Sequence, residues 1–352
     1  MNVKAFSFGL MLAADVATGQ SFAGLGAEAD GFAIPQPNPT FEFPEDHGAH
    51  NAYRIEWWYL TATLTGEDGQ DYGVQWTLFR SAQRPEAAEG WQTAQIHMGH
   101  AGLTTADQHF SAERFARAGT GQAGVATAPF EAWIDDWIMQ STAPETEDAL
   151  SALQLTARGA DFSYDLDLQA TGPLVFQGED GYSVKSESGQ ASYYYSQPFY
   201  TVSGALSLPS GDVGVAGQAW LDREWSSQPL AENQIGWDWF SLSFEDGARM
   251  MGFGLRDSDG GHFTSATWIE ADGTSTPYPN GALRLTPLSQ ADVAGRTVPV
   301  GWRVELPERG LDVETTALNP QSWMSTSFPY WEGPIRFDGS HQGRGYLEMT
   351  GY

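Results

Sequence analysis

Ile55-Glu56-Trp57-Trp58-Tyr59-Leu60-Thr61-Ala62-Thr63-Leu64, followed by Gly66-Glu67-Asp68-Gly69 and then by Tyr72-Gly73-Val74-Gln75-Trp76-Thr77-Leu78-Phe79-Arg80, decides the fold class. Both flanks are dense in β-branched and aromatic residues, and the Gly/Asp pair between them is a hairpin turn signal. Successive strand residues point to opposite faces. Glu56, Trp58, Leu60, Ala62 and Leu64 therefore share one face, and Val74, Trp76, Leu78 and Arg80 share one face of the partner. A hairpin centred near Asp68 sets Glu56 opposite Arg80 on the apolar, inward side. An ion pair inside a sheet or barrel is the expectation, with a wet strand-end contact as the alternative.

The C-terminal half repeats the pattern. Trp237-Asp238-Trp239-Phe240-Ser241-Leu242 leads to Asp246-Gly247, then to an apolar run from Met250 to Leu255, then to Arg256. Leu153 to Leu155, Phe162 to Leu168 and Val213 to Leu221 also alternate, and turn residues recur about every ten positions. Amphipathic helix patterns are scarce. An all-β protein follows, a sandwich or an up-and-down barrel in two similar tandem domains. The limits read as 46–197 and 198–352, with the crossing near Tyr193-Tyr194-Tyr195 and Pro198 and a closing strand at Tyr346 to Tyr352. Residues 20–45, rich in Gly, Ala and Pro, read as an irregular lead-in. Residues 1–19 resemble a signal peptide: Lys4, an apolar stretch from Ala5 to Ala14, and the small pair Ala17-x-Gly19. A periplasmic or secreted location is expected.

The 352-residue chain carries a formal net charge of −28 and only two lysines, Lys4 and Lys185. Such acidity repels nucleic acid and anionic membrane surfaces. The absence of cysteine excludes disulfides, thiolate catalysis and Cys-ligated metal. No later stretch reaches the ~18 apolar residues of a membrane-spanning helix. There is no Gly-x-Ser-x-Gly, phosphate loop or dinucleotide fingerprint.

Three clusters combine acids with indoles: Glu56-Trp57-Trp58-Tyr59, Trp220-Leu221-Asp222-Arg223-Glu224-Trp225 and Trp237-Asp238-Trp239-Phe240. Carboxylates among aromatics suit an apolar cavity with a few fixed polar groups. Alternation places Gln218, Trp220, Asp222 and Glu224 on one face. Either this face lines a cavity, with Asp222 or Glu224 as proton donor, or Arg223 and Arg256 neutralise the acids in a structural network. Asp238 shares the face of Phe240 and Leu242, opposite Trp237 and Trp239. It is either an acid with a perturbed pKa or a strand-end cap. The candidate catalytic residues are Asp222, Glu224 and Asp238. Candidate ligand-binding residues are Glu56, Trp58, Arg80, His97, Tyr194, Gln218, Trp220, Trp237, Trp239 and Arg256. His97 and His100, three apart on a strand, face opposite ways, so no metal site is expected and one histidine at most joins the site. No cofactor is expected.

Asp46-His47-Gly48-Ala49-His50, Glu56-Trp57-Trp58-Tyr59, Tyr193-Tyr194-Tyr195-Ser196, Trp220 through Trp225, Gly236-Trp237-Asp238-Trp239, Tyr330-Trp331-Glu332-Gly333 and Gly345-Tyr346-Leu347-Glu348 together resemble the AttH-like family, from about residue 40 to the end. Members of that family are often described as predicted secreted hydrolases and are grouped with the carotenoid 1,2-hydratases (hydroxyneurosporene synthases). The resemblance implies two packed lipocalin-like β-barrels. It also implies a hydrophobic partner, isoprenoid or lipid-like, that is acted on by acid-assisted hydration, isomerisation or hydrolysis, or else carried unchanged.

Overall fold

The computed structural model describes Leu25, residues 29–86 and residues 90–352. The expected signal peptide and the first part of the lead-in lie outside the described residues. Among those described, the only helical elements are three 3-10 turns, Glu45–His47, Gly90–Gln92 and Pro307–Arg309.

The first sheet contains thirteen strands. Its opening half is β1 (Ile55–Gly66), β2 (Asp71–Ala82), β3 (Gln95–Thr104), β4 (His109–Arg117), β5 (Ala123–Thr127), β6 (Phe130–Ile134) and β7 (Trp137–Ser141). Then follow β8 (Ala152–Arg158), β9 (Ser163–Ala170), β10 (Val175–Phe176), β11 (Tyr182–Val184), β12 (Ala191–Leu208) and β13 (Gly211–Ser226). Their order, β4-β3-β2-β1-β13-β12-β9-β8-β7-β6-β5, wraps into a nearly closed barrel, with β10 and β11 attached to β12. The second sheet comprises β14 (Gln234–Phe244), β15 (Arg249–Asp257), β16 (His262–Ile269), β17 (Ser275–Tyr278) and β18 (Arg284–Val293). It is completed by β19 (Arg296–Leu306), β20 (Leu311–Ala317), β21 (Trp323–Met324), β22 (Tyr330–Gly339) and β23 (Gly343–Met349). It curls into a half-barrel in the order β17-β16-β15-β14-β23-β22-β20-β19-β18, with β21 on β22. The architecture is two lipocalin-like barrels in tandem.

The first sheet extends to Ser226, so the expected division at 197/198 falls inside β12. Tyr193-Tyr194-Tyr195 is strand rather than a crossing, because Tyr195 packs into the barrel core. Pro198, which cannot donate to a ladder, sits where the β12–β13 register slips between Gln197 and Tyr200. The chain changes sheets between residues 227 and 233.

Strand alternation builds two separate interiors. Trp58, Leu60, Val74, Trp76 and Leu78 belong to the first, and Phe240, Leu242, Met250, Trp302 and Trp331 to the second. The β1–β2 register is the one expected, with Glu56 opposite Arg80. Both side chains are fully buried, and the Arg80 Nε donates to Glu56 at 2.9 Å. Arg223 (2.7 Å) and His50 (2.6 Å) complete a cage around the same carboxylate. Although burial opposes the charge, these cations hold Glu56 far below the ordinary carboxylate range. The 41–50 segment closes this end of the barrel: Arg223 donates to the Gly48 carbonyl, Trp58 to His47 O and Tyr195 to Asp46 O.

A third apolar cluster lies between the sheets, where Tyr59, Tyr194, Trp220, Trp239, Phe253 and Leu255 meet. Each large side chain buried here contributes about 1.5–3 kcal/mol, enough in sum to hold the barrels together. At one end the backbones nearly touch: a Cβ on Gly73 of β2 would come within 2.5 Å of Pro334 on β22. Toward the other end of β2, at Phe79, Ser81 and Ala82, the sheets part and a cavity opens.

Candidate functional site

The wedge between the sheets encloses about 690 Å³, within the range of small-molecule sites. Its walls come from the outward faces of both barrels. From the first come Trp57 and Tyr59 of β1, Met98 and His100 of β3, and Tyr194 of β12. From the second come Trp237 and Trp239 of β14, Phe253 and Leu255 of β15, and Tyr330 and Glu348 of β22 and β23. Arg54, Lys185, Asp222 and Glu224, with Glu348, add charge to a lining that is otherwise mostly aromatic and aliphatic.

Asp222 lies directly opposite Tyr59 on β1 and Ser196 on β12. It is 2% exposed and accepts from Tyr194 Oη at 2.8 Å, Ser196 Oγ at 2.5 Å and Trp220 Nε1 at 2.6 Å. Burial dominates those three donors, and with the Glu224 charge nearby it pushes Asp222 up to about 7. Glu348 keeps part of its surface toward the cavity and accepts from Trp237 Nε1. Burial, with the Asp222 and Glu224 charges, raises it to about 7 as well, against that indole donor. Glu332 sits across the ladder from Glu348. Burial and Glu348 hold it well above the ordinary range, and Tyr59 Oη donates to its Oε1 at 2.5 Å. Near pH 7 this interface thus keeps several carboxyls at least partly protonated beside aromatic rings that meet edge-on. Such a site can deliver a proton to an apolar molecule and stabilise the positive charge that results.

A second polar chain reaches the cavity from the rim. Glu113 accepts from Ser327 and lies 3.1 Å from His100 Nε2, while His100 Nδ1 lies 3.0 Å from Tyr330 Oη. Burial keeps His100 below the ordinary histidine range despite Glu113, so the imidazole is neutral at physiological pH.

Of the residues singled out from sequence, Asp222, Glu224, Tyr194, Trp237 and Trp239 line the cavity. Trp220 stands behind it, donating to Asp222 and meeting Trp239 edge-on. The others are placed elsewhere. Glu56, Trp58 and Arg80 are inside the first barrel, where the inward face of β1 is cut off from the cavity by the sheet itself. His97 points into the same interior, with neither ring nitrogen hydrogen-bonded among the described residues. Asp238 is a correction to the catalytic set. It faces the second barrel's interior, 2.5 Å from Arg256 and 2.8 Å from the Tyr352 hydroxyl, so Arg256 is its partner and not a ligand contact. Gln218 is exposed on the outer surface.

Sequence reasoning misses Trp57, Tyr59, His100, Lys185, Tyr330, Glu332 and Glu348. Trp57 and Tyr59 alternate with Glu56 and Trp58 and so fall on the outer face. Nothing local tells that this face meets a second barrel rather than water. The same holds for the histidines, of which His100 and not His97 joins the site.

A family model described as AttH-like matches residues 34–352, and the chain belongs to that family. The crystal structure of a candidate AttH protein from Nitrosomonas europaea is 33% identical and superposes with a TM-score of 0.81, over 91% of this chain and 99% of that one. Kievitone hydratase from Nectria haematococca is 16% identical with a TM-score of 0.68, over 91% and 95%. CghA, solved with Sch210972, is 13% identical with a TM-score of 0.55, over 92% and 97%. None of the functionally curated proteins compared with the chain matches it.

Proposed function

We propose that this AttH-like protein binds a hydrophobic molecule between its two barrels and acts on it by protonation, in a hydration or isomerisation. The observation that carries the reading is the pair of cavity-lining carboxyls, Asp222 and Glu348, both brought to about 7 inside one aromatic enclosure. An acid near the working pH is half protonated and readily restored, which is what a general acid requires. Glu348 is the more open to a ligand. Asp222 orients the Tyr194 hydroxyl, which in turn accepts from Trp239 Nε1 at 3.2 Å. Trp237, Trp239 and Tyr59 supply π faces for a developing cation. A structural neighbour named as a hydratase is consistent with acid chemistry on this fold. The reading includes export, on the N-terminal pattern of Lys4, Ala5 to Ala14 and Ala17-x-Gly19.

The test begins with protein exposed to a lipid-soluble cell extract, then recovered and extracted with organic solvent for mass spectrometry. The molecule retained is assayed for turnover with the wild type, Asp222→Asn and Glu348→Gln. Both variants are expected to bind it, with turnover reduced about 100-fold in at least one. Full turnover in both variants would overturn the acid role. A retained molecule that is never converted would make the protein a carrier.

A further inference from the structure

Lys185 is one of only two lysines in the chain, and it lines the cavity. It is 6% exposed, on the loop that follows β11. The backbone fixes it from both sides: its N–H donates to Gln190 O at 2.7 Å, and its carbonyl accepts from Gln234 Nε2 at 2.8 Å. The ammonium lies 2.9 Å from Glu224 Oε1. It also sits 4.2 Å above the Phe253 ring and 4.9 Å above that of Tyr194, one from each sheet.

A buried Lys–Glu pair adds little net stability compared with an apolar pair of the same shape, so its place in an aromatic wall asks for another use. An ammonium has three N–H donors. Among the described residues Glu224 is its one oxygen partner, and ring faces are weak substitutes for the rest. A hydrocarbon filling the cavity would strip water from those donors and return nothing. A ligand carboxylate would enter a wall that holds three acids, Asp222, Glu224 and Glu348, against two cations; Glu224 already matches the lysine, and Arg54 already donates to the Ser227 and Leu25 carbonyls. A neutral oxygen acceptor meets neither objection.

Resting on the cavity reading above, we infer that the ligand is an uncharged apolar molecule carrying a neutral acceptor oxygen, such as a ketone carbonyl, and that Lys185 receives this oxygen. The polar end then lies beside Tyr194 and Asp222, and the apolar remainder lies along Trp57, Phe79 and Leu255.

Displacement of the neutral dye Nile red by three ten-carbon probes, decan-2-one, dec-1-ene and decanoate, tests the assignment. In the wild type the ketone is expected to bind about tenfold more tightly than the alkene, as one charge-assisted hydrogen bond would give, and more tightly than the carboxylate. In Lys185→Met the advantage over the alkene disappears. Because that variant leaves Glu224 unpaired, Lys185→Met/Glu224→Gln provides the same comparison with both charges removed. Equal binding of ketone and alkene by the wild type, tightest binding of decanoate, or an advantage that survives in the double variant overturns the assignment and leaves the cavity reading standing. Failure of the dye and all three probes to bind overturns both.

Discussion

Asp222 shows at a single residue how packing sets chemistry. Three donors favour its charged form, yet complete burial beside other acids wins and raises it from 3.8 to about 7. The linkage has a definite sign. A carboxyl that binds its proton more tightly when folded contributes stability below its unfolded pKa, and that contribution is lost as the pH rises through the folded value. Relative to Asp222→Asn, the wild type should therefore lose unfolding free energy between pH 5 and pH 8, measured in urea at both pH values. A difference that does not change with pH would contradict the burial argument. Glu56 is the opposite case, a carboxylate kept charged by Arg80, Arg223 and His50. Its pairing with Arg80 is legible in the sequence, because parity and a turn suffice to place two residues opposite each other. Arg223 and His50 are not legible as partners: Arg223 arrives from β13, far along the chain, and His50, though near in sequence, belongs to the irregular 41–50 plug, to which strand parity does not apply.

At the level of the strands, alternation is informative about faces and silent about what those faces meet. It correctly divides β1, β13 and β14 into two sides, and parity alone sets Asp238 opposite Trp237 and Trp239. It also suggests the duplication: Glu56–Arg80 in one hairpin and Asp238–Arg256 in the other are inward ion pairs at matching ends. The docking of the two barrels includes a long-range contact, from β2 to β22 and β23, with no local signature. Gly73 lies against Pro334 and the Tyr346 hydroxyl with no room for a side chain. Gly73→Val should force β2 away from β22 and cost about 1–3 kcal/mol, read from the urea midpoint. An unchanged midpoint would mean that the wedge is not held at this point.

Across the whole molecule, the cavity belongs to neither barrel. The apolar faces of the two interiors are readable from sequence, but the third cluster exists only because two outer surfaces meet. Ion pairs brace the closed end of that meeting, where Asp71 of the first barrel reaches Arg336 and Arg344 of the second. Glu113 and Ser327 tie the barrels at the rim of the open end. The net charge of −28 surrounds a chamber whose lining sets Arg54, Lys185, Asp222, Glu224 and Glu348 among aromatic and aliphatic side chains, and the occupant proposed for it is an apolar, uncharged molecule. The most direct test of that claim is a Nile red titration of the wild type beside Ile55→Trp/Leu255→Trp, which adds bulk from both walls. The account predicts saturable binding of one dye per chain with blue-shifted emission, weakened about tenfold or more in the filled variant. No saturable binding by the wild type, or equal binding by a folded filled variant, would contradict it.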